Sequence, residues 1–206
     1  PIFVMGLAAA GSISSSSLSY DWTRVLYIAF ATGGWVVDYG TTLFGWTGQQ
    51  LDGVLSRGLA PDDLLRAKLT VLVGGTVVFW LLPLPVLLPT WNVVLALHTT
   101  FFVYVLGWGV PVVAWMACFD SRPVPLNSSS WSDTSHFGLG TATTALIFGP
   151  IFLPLLWTSG WHTHMAWLGA MGLVSAAGGP LWWRLLKRTW HHRRHTMLAA
   201  FRESQS

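Results

Sequence analysis

The sequence predicts an all-α protein: a polytopic bundle with about five full transmembrane helices and a partial one at its N-terminus. Two observations predict it. Charged residues make up 9% of the 206 positions, against roughly 25% in ordinary globular proteins. The stretches Leu69 to Phe119 and Thr134 to Trp183 contain no Asp, Glu, Lys or Arg. A soluble domain needs charge over its whole surface, whereas a bilayer-embedded one does not. The second observation is where the positive charge gathers: ten of the eleven Lys and Arg fall in three clusters between or after those stretches.

The elements follow in order, given that about 20 apolar residues carry a helix across the hydrocarbon core. Pro1 to Gly11 reads as the tail of a span leading into a Ser-rich turn, and the absence of an initial Met suggests an N-terminally truncated fragment. Val25 to Phe44 is the first full span, with Asp38 inside it. Leu69 to Leu88 is the second, and Val93 to Cys118, containing Pro111, is the third. Leu139 to Trp157 and His162 to Trp183 complete the set. Between them stand Pro83, Pro85, Pro89 and Trp91-Asn92, then Thr158-Ser159-Gly160, which are turn residues. Residues 1–183 form the transmembrane domain and 184–206 a basic cytoplasmic tail. The apolar runs are continuous and lack the period-2 alternation of an outer-membrane barrel.

Charge sets the topology. Arg57, Arg66 and Lys68, then Arg122, then Arg184, Lys187, Arg188, Arg193, Arg194 and Arg202 fall on one side when crossings alternate. The positive-inside rule makes that side cytoplasmic, with the C-terminus on it and the protein in the inner (plasma) membrane. Trp22, Trp46, Trp91, Trp157, Trp161, Trp182 and Trp183 land at span ends, where amphipathic indoles favour the headgroup layer. The single Cys118 forms no internal disulfide, and basic residues that bracket apolar spans are not a nucleic-acid footprint.

The longest cytoplasmic loop, Gly45 to Lys68, is the candidate functional segment. Ala60-Pro61-Asp62-Asp63 is a helix start, with Pro near the first turn and acids favoured by the helix dipole. Leu51, Val54 and Leu55, then Leu59, Leu64 and Leu65, recur at amphipathic spacing. On pattern alone this is equally a helix lying in the membrane interface.

The run from Trp46 through LDGVLSRGLAPDDLLRAKL, followed directly by a span, resembles the permeases of type-2 ABC exporters. The matching positions are Trp46, Asp52, Leu55, Ser56, Arg57, Pro61, Leu65, Ala67 and Lys68. The later segment from Phe119 to Ser129, with His136-Phe137-Gly138 and Gly140, is similar to the second cytoplasmic loop of that branch, so the resemblance covers about Tyr39 to Pro154. It implies a permease subunit, functioning as a dimer or pseudo-dimer of halves, whose loop docks on a separate ATPase subunit. Asp52, Arg57, Pro61, Asp62, Asp63, Arg66 and Lys68 would make that contact. ATP and Mg would be bound by the partner, with no cofactor, metal or catalytic residue in this chain. Neither Lys68 nor Lys187 follows a Gly, so the P-loop core is missing.

The alternatives are chemical. Asp52-Gly53 to Arg57-Gly58 loosely resembles the signature of CDP-alcohol phosphotransferases, but Gln49 stands where an acid is needed and two later Asp are missing. An integral-membrane lipid-metabolism enzyme would draw its cytoplasmic carboxylates from Asp52, Asp62, Asp63 and Asp120. A non-catalytic membrane anchor for a multiprotein complex is the third reading. His162 and His164 are separated by a bilayer from His191, His192 and His195, so they share no metal centre. The latter three read as a basic anchor at the headgroups. Asp38 and His98 are the intramembrane polar candidates, Asp38 placed near a span end and His98 for hydrogen bonding across helices.

Overall fold

The computed structural model describes residues 33–37, 39–40, 43–44, 58, 60–88, 93–119, 137–152 and 161–203. Among these residues every regular element is helical, and two helices are long and apolar enough to cross a membrane: Pro61–Leu81 and Leu95–Ala117. The expectation of an all-α chain holds over the described residues. Most of the span expected from Val25 to Phe44, including Asp38, lies outside them, as do Asp52, Arg57 and Asp120.

Helix α1 runs Pro61–Leu81, so it begins eight residues before the expected Leu69. The reason is local. Ala60 is extended, Pro61 occupies the first turn, Asp62 and Asp63 sit where the dipole favours acids, and nothing from there to Leu69 breaks a helix. The charged segment and the span are therefore one rod of about 31 Å, at 1.5 Å per residue. Its far end stops short of the expected Leu88. Pro83 cannot donate back to Phe79, and after a turn only the short α2, Leu84–Leu87, follows.

The third expected span is α3 (Val93–Tyr104), a π-helical turn over Val105–Gly109, and α4 (Val110–Ala117), without interruption. Pro111 explains the wide turn. In a regular α-helix its ring would collide with the Gly107 carbonyl, and its missing N–H leaves that carbonyl without a donor. Helix α5 spans Phe137–Phe152 with Pro150 inside it. The last expected span is two helices, α6 (Trp161–Ala177) and α7 (Gly179–Glu203), joined at Gly178. Because α7 continues unbroken past Trp183, the expected domain boundary falls inside a helix.

Helix α6 runs alongside α3 and the π turn in the same direction. Gly169 faces Thr100, Gly172 faces Val103 and Tyr104, and Ser175 reaches Gly107. Two glycines make the closest approach. A Cβ on Gly172 would lie 2.6 Å from the Val103 carbonyl oxygen and 2.8 Å from Tyr104 Cα, and one on Gly107 would fall on the Gly172 carbonyl. Such small-residue crossings let helices meet backbone to backbone. Helix α1 packs the other way round, with Trp80 stacked on Phe102 at 4.6 Å. Leu65, Leu72, Phe101, Tyr104, Val113 and Ile147 fill the centre.

Prolines within these helices release carbonyls, and neighbouring helices supply the missing donors. Gly107 O, orphaned by Pro111, accepts from Ser175 Oγ at 2.6 Å, and Ser175 Oγ in turn accepts from Trp182 Nε1 at 2.9 Å. Leu146 O, orphaned by Pro150, accepts from Trp108 Nε1 at 3.0 Å. The adjacent Ile147 O, which no proline releases because residue 151 is isoleucine, also accepts from the Tyr104 hydroxyl at 2.5 Å. Pro150 O, whose α-helical partner would be residue 154, another proline, accepts from Trp167 Nε1 at 3.3 Å. A carbonyl that loses its helical donor and is shielded from water needs a partner from within the protein. Several tryptophans thus serve as interhelical donors. Trp182, expected at the headgroups, instead meets Trp108 edge-on at 5.9 Å.

Candidate functional site

The end of the bundle at Pro61 gathers most of the charge that the structure describes. Helix α7 is amphipathic, with Leu186, Trp190 and Met197 buried at spacings that keep one face inward. That face lies against the start of α1. Trp190 is fully buried, stacks on Phe44 at 4.5 Å, and donates from Nε1 to the Pro61 carbonyl at 3.2 Å.

Asp62 is the polar centre. Lys187 Nζ lies 2.5 Å from Oδ2 and His191 Nε2 lies 2.9 Å from Oδ1. Lys187 and His191 are four residues apart, hence on one face of α7, which is why one carboxylate reaches both. Trp183 lies beside them, with the Lys187 ammonium 5.8 Å and the Arg66 guanidinium 5.9 Å from its ring. Further along, Trp115 Nε1 donates to Thr189 Oγ1 at 3.2 Å and Arg193 lies over Phe119 at 4.9 Å. Helix α7 therefore clamps the ends of α1 and α4.

Of the expected docking residues, Pro61, Asp62, Asp63, Arg66 and Lys68 share the first two turns of α1, on different faces. Asp62 turns inward to α7 and Lys68 is half-buried. Asp63 and Arg66 point outward, 61% and 65% exposed, in a loose 4.0 Å pair that leaves both free for a partner. His98 is nowhere near them. It is buried at the opposite end of α1, where Nε2 donates to Trp80 O at 3.0 Å. That carbonyl is in the last turn of α1, where helical donors run out. His98 closes a helix end, a structural task.

Sequence reasoning missed Lys187, Trp190 and His191 as members of this site, because the tail read only as a basic anchor. The signal was present in the spacing of Trp183, Leu186, Trp190 and Met197, which marks an amphipathic helix that needs a surface to cover. Among the described residues no group of three or more His, Cys, Asp or Glu is placed to hold a metal ion.

Asp62 precedes the apolar stretch that starts at Leu69, so its ionisation is governed by its neighbours. The hydrogen bond from Lys187 is the largest influence; desolvation opposes it, but with the Lys187 and His191 charges and the His191 hydrogen bond it holds the carboxyl below its usual range. A depressed folded-state pKa contributes stability that is fully present above the unfolded value, about 3.9, and is lost as pH falls through the folded one. We expect protease cleavage within α7 to stay slow from neutral pH to about pH 5 and to accelerate below about pH 4. Asp62→Asn should show fast cleavage already at neutral pH. Equal cleavage of the two proteins at neutral pH would show that Asp62 does not hold α7.

A protein-family model described as a family of unknown function (DUF5687) matches residues 14–204, nearly the whole chain. No curated protein and no solved structure matches.

Proposed function

We propose that this chain, which belongs to the DUF5687 family, is the membrane permease subunit of an ABC exporter, coupling ATP hydrolysis by a separate subunit to substrate export. The observation that carries the reading is the construction of the Pro61 end. Exposed Asp63 and Arg66 stand on the first two turns of a rod that is itself a membrane-length apolar helix. A push delivered to those turns needs no further linkage to reach the bundle, which is the form of a rigid-body coupling element. The clamp by α7 ties the same push to α4 through Trp115 and Thr189.

In this reading five full helices and a partial sixth cross the inner membrane, with the Pro61 end and the charged part of α7, from Arg184 onward, cytoplasmic. Two halves associate as a dimer or pseudo-dimer, Asp52 and Arg57 join the docking surface, and ATP and Mg sit in the partner. The rival, a lipid-metabolism enzyme using cytoplasmic carboxylates, is disfavoured by the engagement of Asp62 with Lys187 and His191.

The test takes an ATP-binding-cassette protein that co-purifies with the chain and reconstitutes the two in vesicles; if none co-purifies, the exporter reading fails. Charge reversal by Asp63→Lys with Arg66→Glu should lower co-purification and stimulated ATP hydrolysis about tenfold or more, as for truncated charge pairs at interfaces. Undiminished stimulation would rule out docking at this end. Metal-dependent turnover of a lipid without any ATPase would support the enzyme instead.

A further inference from the structure

An apolar groove of about 680 Å³ opens on the side of the bundle where α6 meets α7, away from the Pro61 site. Its floor is Ser175 and Gly178, and its walls include Trp108, Trp167, Val174, Trp182 and Leu185. That volume is within the roughly 300–1,000 Å³ of small-molecule sites. The junction of α6 and α7 at Gly178 lies along it, and the indoles of Trp108 and Trp182 meet edge-on beside that junction.

The stripe that forms one wall changes character along α7. Leu181 and Leu185 are 68% and 41% exposed. One turn further along the same face comes Arg188, with Arg184 beside it, and both are exposed. Among the described residues neither arginine is in an ion pair with an acid. The depth of this change is set by the neighbouring helix. Thr189 is level with Trp115, two residues from the end of the apolar rod Leu95–Ala117, while Trp182 is level with Trp108 in its interior. The groove therefore lies within the apolar depth; Arg188, next to Thr189, stands near its boundary, with Arg184 one turn deeper and its long side chain able to extend toward that boundary.

We infer that this groove is a binding site for an anionic phospholipid, whose acyl chain lies against Trp182 and Trp108 and whose phosphate is held by Arg184 and Arg188. Apolar shape and cationic rim are complementary to that one class of ligand: a zwitterionic lipid matches the groove and cancels at the rim. Arginine suits the task because its planar fork pairs bidentately with phosphate oxygens. The site is independent of the proposed ATPase docking, which uses another face.

The indoles that line the groove supply the readout. The full chain is reconstituted in zwitterionic vesicles containing a small fraction of acyl-brominated lipid, either phosphatidylglycerol or phosphatidylcholine, and tryptophan quenching is compared. Wild type should be quenched more by the anionic lipid, and the excess should shrink in Trp182→Phe. The preference should fall roughly fivefold for each of Arg184→Gln and Arg188→Gln, which are surface changes that leave the fold intact. Equal quenching by the two lipids, or an excess that survives the double arginine substitution, would overturn the proposal. So would a wild type quenched no more than Trp182→Phe by either lipid, the result expected if a protein segment or a second copy fills the groove.

Discussion

Gly172→Val is expected to destabilise the protein by about 3 kcal/mol or more, at the upper end of overpacking costs. Most overpacking relaxes because a side chain can swing away. Here the obstacles are the Val103 carbonyl oxygen and the Tyr104 Cα, which are backbone atoms of a helix already held by its own hydrogen bonds. Relief requires separating α6 from α3. That would also break the Ser175 to Gly107 hydrogen bond a turn away, because Ser175 follows Gly172 on the same face. Gly107→Val should act similarly, since its Cβ meets the Gly172 carbonyl. The control is Gly74→Ala on α1, where the added methyl meets nothing within 4 Å. It should stabilise by about 0.5–1 kcal/mol through helix propensity. Unfolding in mixed micelles reads all three, and a Gly172→Val protein as stable as wild type would mean that the helices are not in backbone contact.

Ser175→Ala is expected to cost about 1–2 kcal/mol, the range for stranding a buried acceptor. The size depends on a residue that Ser175 does not touch. Gly107 O needs an external donor only because residue 111 is proline and brings no N–H. With alanine at 111 the helix can supply its own donor, and Ser175 becomes redundant. In the background Pro111→Ala, then, Ser175→Ala should cost less by about 1 kcal/mol, a coupling that a double-mutant cycle resolves. Additive costs would show that Ser175 does not substitute for the missing N–H. Trp182 links this bond to the groove, because its indole N–H donates to the same hydroxyl. Lipid bound in the groove should therefore raise the thermal stability of wild type more than that of Ser175→Ala.

Several features were legible in the sequence. The absence of charge from Leu69 to Phe119 marks two apolar helices, because uncompensated charge is excluded from hydrocarbon whatever the fold. Pro61, Asp62 and Asp63 mark a helix start because their effects are confined to their own turn. Less legible were the limits of elements. The expected spans began where charge ended, but a helix continues until a backbone signal stops it, so the helix that starts at Pro61 is continuous with the span to Leu81 and α7 runs past Trp183 to Glu203.

What the sequence by itself determined is therefore local or compositional: helicity, the apolar character of two membrane-length rods, and the positions of the prolines that release carbonyls. Which donor answers each released carbonyl was decided only by tertiary structure. Ser175 serves Gly107 and Trp108 serves Leu146 across separations of 68 and 38 residues. The capture of Asp62 by Lys187 and His191 is of the same kind. A residue's charge and hydrogen-bonding capacity are written in its side chain, but its partner depends on which helices lie side by side. That choice is made by close packing at Gly107 and Gly172, summed over contacts distant in the chain.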